Sequence, residues 1–327
     1  MRAILLVAAL ACVSTVRAEP LDWPPSGAAL KDAVAAQEAP AVPAAPAAQT
    51  GAPWTLRVVT YNIHGITPWA SSDPQLDEKS KGRYLEIAAR LRRQRAAGTA
   101  PHVVVIQEAF NHWSAKAARE AGYPYVLEGN GARFGKVGGA GLFILSEYPV
   151  FSSSNMDYSD CTGYDCLANK GAMHARIVVP EVQRSFDVYN THMNADEPPA
   201  KPEDSMKARM VQIREFAAFV RRTREPGIPA ILAGDFNFIS GNADYALFQA
   251  LTSGRNVLEE CATSTCAGDA PGPILRETVD HQYHLPGTRG SVAAAHVERT
   301  FTEPHGGEPL SDHWGLEARY RLVRRQP

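Results

Sequence analysis

Four short segments end an apolar run in a carboxylate, amide or imidazole, types that a buried strand would not choose for packing, and two more segments of the same residue types follow. They are Thr60-Tyr61-Asn62-Ile63-His64-Gly65, Gln107-Glu108-Ala109-Phe110, Asn190-Thr191-His192-Met193-Asn194-Ala195, Gly234-Asp235-Phe236-Asn237, Thr278-Val279-Asp280-His281 and Ser311-Asp312-His313-Trp314. Oxygen donors such as carboxylates hold hard divalent cations, and imidazoles move protons near neutral pH. Together these groups could hydrolyse an ester with metal assistance, provided that a rigid sheet fixes the loops that carry them. Each segment alone has an ordinary reading. A Glu after a strand is most often a surface carboxylate, and Asp-His often marks a turn. Their number and order carry the argument.

Such a set needs strands to end where it begins. Leu56–Asn62, Val103–Ile106, Gly141–Leu145, Ala175–Val179, Phe186–Asn190 and Ala230–Ala233 read as buried strands. Arg83–Arg95 and Ser205–Arg222 read as amphipathic helices; the second spaces Met206, Met210, Ile213, Phe216, Phe219 and Val220 along one face. Arg83, Arg90, Arg92, Arg93 and Arg95 scatter around their helix, which suits a solubilising face better than a basic groove. Strands and helices interleave with no second linker. A single α/β (α+β) domain over residues 54–327 follows.

Composition narrows the partners. With 327 residues, 45% hydrophobic and 21% charged, the chain is neither wholly disordered nor a fibrous repeat. A formal charge of −2 gives no strong overall pull towards nucleic acid or anionic lipid. Met1–Ala18 reads as a secretory signal: Arg2, an apolar run Ala3–Val13, and a small-x-small site at Val16-Arg17-Ala18. That run is too short to span a bilayer. Residues 19–53 are an Ala- and Pro-rich linker or propeptide. The expected location is therefore secreted or periplasmic. Outside the signal stand Cys161, Cys166, Cys261 and Cys266, and their short even spacing in an exported chain favours Cys161–Cys166 and Cys261–Cys266 bridges. This is one of three connectivities. A zinc site is the rival, but C-x-x-C spacing is absent.

Taken in order, the six segments resemble the motifs of the endonuclease/exonuclease/phosphatase superfamily, with its DNase I-like fold. Gly138–Pro149 also resembles the family's glycine-started strand ending in Ser-x-Tyr-Pro, with Glu147 where Arg is frequent. The resemblance implies a four-layered sandwich, two packed mixed β-sheets flanked by helices. It also implies Mg²⁺, with Mn²⁺ or Ca²⁺ as alternatives, held by Asn62, Glu108 and Asp312, with Asp235 available to a second ion. Asp235 and Asn237 would hold the attacking water or the phosphate. His313 would be the general base, oriented by Asp280, and His192 would stand across the phosphate as general acid or transition-state stabiliser.

Three strings lean towards sphingomyelinase-type phospholipases C. Asp165–Met173 resembles their Lys-Gly segment and nominates Lys170 as a phosphate contact beside His192 and Asn237. Thr191–Asp196 resembles their Thr-His-Leu-Gln-Ala, and Tyr61-Asn62-Ile63 is compatible. A solvated turn is the plain reading of Asn169-Lys170-Gly171. Two features point the other way. Between Asp280 and Asp312 only Tyr283 and Phe301 are aromatic, so no membrane-entering hairpin is read there, and His281 replaces a frequent Tyr. The expectation is a monomeric Mg²⁺ phosphodiesterase acting on a phospholipid headgroup at the membrane periphery. An extracellular DNase I-like nuclease is the alternative, and an inactive binding module a third.

Overall fold

Twelve strands and five helices alternate along the described part of the chain, and every strand read from the sequence is among them. The computed structural model describes residues 54–323 apart from 68–75, 198, 265, 269–273 and 275–276. The expected signal and linker, residues 1–53, lie outside the described residues.

The first sheet is built from β1 (Thr55–Asn62), β2 (Val103–Gln107), β3 (Tyr125–Glu128), β4 (Phe143–Ser146), β11 (Ser291–Thr300) and β12 (Gly315–Val323), in the order β11-β12-β1-β2-β4-β3. The second is built from β5 (Val150–Asp157), β6 (Gly171–Val179), β7 (Arg184–His192), β8 (Ala230–Asp235), β9 (Arg255–Asn256) and β10 (Asp280–Leu285), in the order β5-β6-β7-β8-β10-β9. Each sheet is mixed around one parallel pair, β1 with β2 and β7 with β8. Parallel strands end on the same side, so Asn62 emerges with Gln107 and His192 with Asp235, and the Asn62–Asp235 hydrogen bond brings both pairs to one end.

Alternation along the strands builds three apolar layers. Val58, Val103, Val105 and Ile144 meet Ala175, Ile177, Val188 and Ile231 between the sheets. Val59, Tyr61, Val104 and Ile106 face Ile87 and Leu91 of α1 (Leu76–Ala96) and Ala118 of α2 (His112–Arg119). Tyr189, Leu232 and Tyr283 face Ile213, Phe216 and Phe219 of α3 (Pro202–Thr223) and Phe248 of α4 (Ala243–Thr252). The fifth helix, α5 (Val257–Thr263), adds Val257 and Leu258 to the inner layer. This is the expected four-layered sandwich.

Polar side chains cross the inner layer and pin the sheets at the functional end. Gln107 Nε2 donates to Asn190 Oδ1 (2.7 Å), and Asn190 Nδ2 donates to the carbonyls of Ile106 and Phe143 (2.8 and 2.9 Å). Gln282 Nε2 donates to Leu316 O at 2.7 Å while Tyr320 Oη donates to Gln282 Oε1 at 2.9 Å. Being satisfied, these buried amides cost little and fix the relative register of the two sheets.

Both expected disulfides are formed, Cys161–Cys166 and Cys261–Cys266. The arginine-bearing helix corrects one expectation. Arg83 is not part of a solvated face: its guanidinium donates to the carbonyls of Ile63 (2.8 Å), Leu310 (2.7 Å) and His64, tying the β1 exit to the segment before Ser311. Arg90 and Arg93 pair with Glu86, and Arg95 pairs with Glu147, so the Glu147 departure is absorbed at the surface.

His102 gives the fold an acid-sensitive point. Its ring stacks on Trp54 at 5.7 Å, and its Nδ1 accepts from the Arg57 backbone N–H at 3.1 Å, which only a ring without a proton there can do. Burial, reinforced by Arg57, pushes it down to about 4. The folded state therefore refuses a proton that the unfolded state takes at its ordinary value near 6.5. Stability from this site is complete above that value and drains away as pH falls towards 4. Between pH 7 and pH 5, urea unfolding of the wild type should lose ~2 kcal/mol more than His102→Asn, which keeps an acceptor without titrating. Equal losses would show that His102 is protonated in the native state.

Candidate active site

Glu108 stands one residue beyond β2 with φ +56°, a left-handed backbone that turns its carboxylate across the end of the sandwich. Its carbonyl passes so close to Gly65 that a Cβ there would lie 2.1 Å away, which explains the small residue after His64. In the second sheet a Cβ at Gly234 would meet Thr191 O at 2.2 Å, so β7 and β8 approach closely and bring His192 beside Asp235. Asn237, at φ +54°, completes that turn. Non-glycine residues held at such angles store of order 1 kcal/mol or more each, and three of the six among the described residues, His64, Glu108 and Asn237, stand at this mouth.

Asn62 bridges the sheets. Its Nδ2 donates to Glu108 Oε1 and to Asp235 Oδ2, both at 2.9 Å, and its Oδ1 accepts from the His64 backbone N–H. Its nitrogen thereby spaces the two carboxylates apart. His64, in the same segment, is a member of the cluster to which the motif assigns no role. Its Nδ1 lies 3.0 Å from Asp312 Oδ2 and 3.8 Å from Glu108 Oε2. Its own segment carries no sign of this contact, because Asp312 lies far along the chain. The hydrogen bond to Asp312 raises His64 above its ordinary value, and Asp312, against partial desolvation of its largely exposed side chain, is drawn down to about 2 chiefly by His64.

On the other side Asp280 Oδ2 lies 2.6 Å from His313 Nδ1. Burial alone would lower His313, but Asp280, with Asp235 and Asp312 beyond it, holds the ring up at about 11. Burial, reinforced by the Asp280 charge, pushes Asp235 up to about 7. Ser311 Oγ donates to Asn62 O at 2.8 Å and anchors the segment to β1. Possible ligand atoms of Asp235, Asp280 and His313 lie within 4.8 Å of one another, as do those of Glu108, His192 and Asp235.

Lys170 is no solvated turn. Only 6% exposed, it sets Nζ 3.0 Å from His192 Nε2, 3.1 Å from Met193 O and 2.6 Å from Asp165 Oδ1. Burial and the Lys170 charge hold His192 well below its ordinary value, so the ring is neutral. A lysine has only protons to give, so His192 Nε2 accepts and its proton sits on Nδ1. Asn237 Nδ2 donates to the same Met193 carbonyl at 2.9 Å. His281 lies elsewhere: its ring donates from Nε2 to Phe238 O at 2.8 Å and stacks on Phe238, away from this mouth.

The donors suit a hard divalent cation. Glu108 Oε2 is buried without a hydrogen-bond partner, and burial raises its carboxyl above the ordinary range. An orphaned acceptor beside a second carboxylate, Asp312, calls for positive charge.

The layered sheets with this cluster between their strand ends are those of the DNase I-like fold. The chain belongs to the Endonuclease/Exonuclease/phosphatase family, which it matches over residues 59–313. It is 26% identical over 299 residues to a Drosophila melanogaster protein named "Putative neutral sphingomyelinase", covering 83% of this chain and 62% of that one. The chain thus spans less than two thirds of that relative's length. A variant of Staphylococcus aureus beta toxin with bound magnesium ions superposes with a TM-score of 0.62 at 17% identity, over 81% of this chain and 99% of that one. D. rerio TDP2 complexed with a single-strand DNA product gives 0.58 at 17% identity, over 82% and 99%.

Proposed function

We propose that the chain is an exported, Mg²⁺-dependent phosphodiesterase of the sphingomyelinase type, cleaving a phospholipid headgroup by in-line attack of water. One observation carries it: two carboxylates, an Asp–His pair and a Lys–His pair converge at one end of the sandwich. The lipid substrate is supported by the name of the relative matched over most of the chain. Export is supported by the two disulfides and by the signal read at Met1–Ala18.

Glu108 and Asp312 would hold the cation, with Asp235 beside them, and Asn62 keeps Glu108 and Asp235 apart. When bound, the cation neutralises charge developing on the phosphoryl oxygens and acidifies nearby water. Asp280 occupies His313 Nδ1, leaving Nε2 to face the substrate side as the proton acceptor. An imidazolium accepts nothing, so His313 works as a base only when the charge of the surrounding carboxylates is offset. Asp235 and Asn237 orient the water and the phosphate. Lys170 provides fixed positive charge across the phosphate, and neutral His192 holds that ammonium in place.

A substrate panel tests this reading: sphingomyelin, phosphatidylcholine, plasmid DNA and bis-p-nitrophenyl phosphate, each with Mg²⁺, Mn²⁺, Ca²⁺ or EDTA. Sphingomyelin should turn over fastest, and EDTA should stop every reaction until Mg²⁺ is returned. DNA cleavage without sphingomyelin turnover would move the substrate to nucleic acid. Activity that persists in EDTA would remove the metal.

A further inference from the structure

Among the described residues six large apolar side chains are exposed: Phe134, Val137, Phe151, Tyr164, Leu251 and Trp314. Four of them stand at the catalytic end. β3 runs in the same direction as β2, on the far side of β4, because both are antiparallel to β4, so the segment leaving β3 at Glu128 emerges at the end where Glu108 does. That segment carries Phe134, wholly exposed, and Val137, 56% exposed. Tyr164, 57% exposed, lies between β5 and β6, whose Asp157 and Gly171 face one another at the same end. Trp314 follows His313.

The two apolar loops form one structure. Ala140 N–H bonds to Asn130 O at 2.7 Å and closes the base of the 131–139 loop. Asn169 clamps it, donating from its backbone to Gly138 O and from Nδ2 to Gly131 O, both at 3.0 Å. Val137 N–H bonds to Leu167 O at 2.8 Å, and Lys136 Nζ donates to Cys166 O at 2.9 Å, within the turn that the Cys161–Cys166 bridge closes and Tyr164 tops. The next residue after Asn169 is Lys170. The apolar tips are thus held on the wall of the catalytic mouth.

We propose that Phe134, Val137 and Tyr164 form a lip that docks the catalytic mouth on a phospholipid bilayer surface. The proposal rests on the lipid reading of the site given above. Two observations favour a bilayer over a nucleic acid. The exposed groups are apolar, and such exposure is stable in water only at a cost that an acyl boundary removes. The two cations of the lip are already engaged, Lys136 with the Cys166 carbonyl and Arg133 with Asp157 Oδ2 at 3.8 Å. A backbone of phosphates would want free cations in a row. A zwitterionic surface needs none.

The test uses vesicles of equal parts sphingomyelin and phosphatidylcholine in EDTA, so that binding is read without turnover. Phe134→Ala/Val137→Ala should weaken co-sedimentation by ~10–100-fold, the scale of two apolar side chains withdrawn from an interface. Phe151→Ala, at a distant edge, should bind as the wild type does. A tryptophan at the tip, Phe134→Trp, should shift its emission to the blue on the vesicles. Hydrolysis of soluble bis-p-nitrophenyl phosphate in Mg²⁺ should be the same in all variants, which excludes misfolding. Vesicle binding that Phe134→Ala/Val137→Ala leaves unchanged overturns the lip while the lipid reading stands. Wild-type protein that binds no vesicles and cleaves only DNA overturns both. Loss of single-stranded oligonucleotide binding in the double variant, with vesicle binding unchanged, assigns the lip to nucleic acid and overturns it as a membrane surface.

Discussion

Replacing Glu108 with Gln should lower Mg²⁺-dependent turnover by ~10²–10³-fold, the scale of removing one electrostatic stabiliser from a water-excluded site. The substitution keeps shape and the acceptor that Asn62 Nδ2 uses at 2.9 Å, so the bridge between the sheets survives. What disappears is charge. Burial already holds this carboxyl above its ordinary range, and its Oε2 lacks a partner, so removing the charge should relieve the fold rather than harm it. Urea unfolding of Glu108→Gln without metal should therefore show a midpoint equal to or above the wild type. Calorimetric titration with Mg²⁺ should show weakened binding, and high Mg²⁺ should restore turnover in part. An unchanged Mg²⁺ affinity would take Glu108 out of the cation site.

Half of the strands were legible, because the inner ones are continuous apolar runs. Val103–Ile106 and Ala230–Ala233 are buried on both faces and read as strands without ambiguity. Their observed ends run further, to Gln107 and Asp235, because a ladder needs only backbone groups and continues past the point where polar side chains end the apolar run. Apolar pattern alone did not reveal β10, of which only Asp280 was marked by the family resemblance. Its sequence, Asp280-His281-Gln282-Tyr283-His284-Leu285, is fully buried yet largely polar, and the partners that make this tolerable lie on distant segments: Leu316 for Gln282, Phe238 for His281 and Glu260 for His284. β5 was missed for the opposite reason, as an exposed edge whose Ser152-Ser153-Ser154 carries no apolar pattern.

The site was legible where chemistry and chain order coincide, as in Asp235, Asp280 and His313. It was illegible where a role depends on what a side chain meets. Nothing in Asn169-Lys170-Gly171 announces a buried lysine, because the acceptors that bury it, Asp165, Met193 and His192, come from two other segments. His64 escaped for the same reason. Its importance lies in Asp312, about 250 positions away in the chain but 3.0 Å away in space.

The opposite faces of the phosphate can be separated by leaving-group chemistry, and here the geometry changes one expectation. His313→Ala should abolish turnover of both sphingomyelin and bis-p-nitrophenyl phosphate, because a proton acceptor on the water side is needed whatever group departs. Asp280→Asn leaves the ring but removes the carboxylate 2.6 Å from Nδ1 that orients it, and should cost ~10²–10⁴-fold, the range of acid–base contributions. The double variant should be no slower than His313→Ala, since both changes act through one imidazole. For His192 the sequence left two roles, general acid or stabiliser. A general acid is dispensable when p-nitrophenolate leaves, so that role requires His192→Ala to be rescued by the activated substrate. Burial and the Lys170 charge hold this ring below its ordinary value, and Nε2 faces the Lys170 ammonium at 3.0 Å, an arrangement in which Nε2 accepts and has no proton to donate. His192→Ala should therefore lose similar factors on both substrates, and Lys170→Met should reproduce the loss. Selective rescue of His192→Ala by p-nitrophenolate would restore the general acid and place a proton on Nε2 during turnover. Rescue of His313→Ala in its place would put acid and base on the opposite sides from those assigned here.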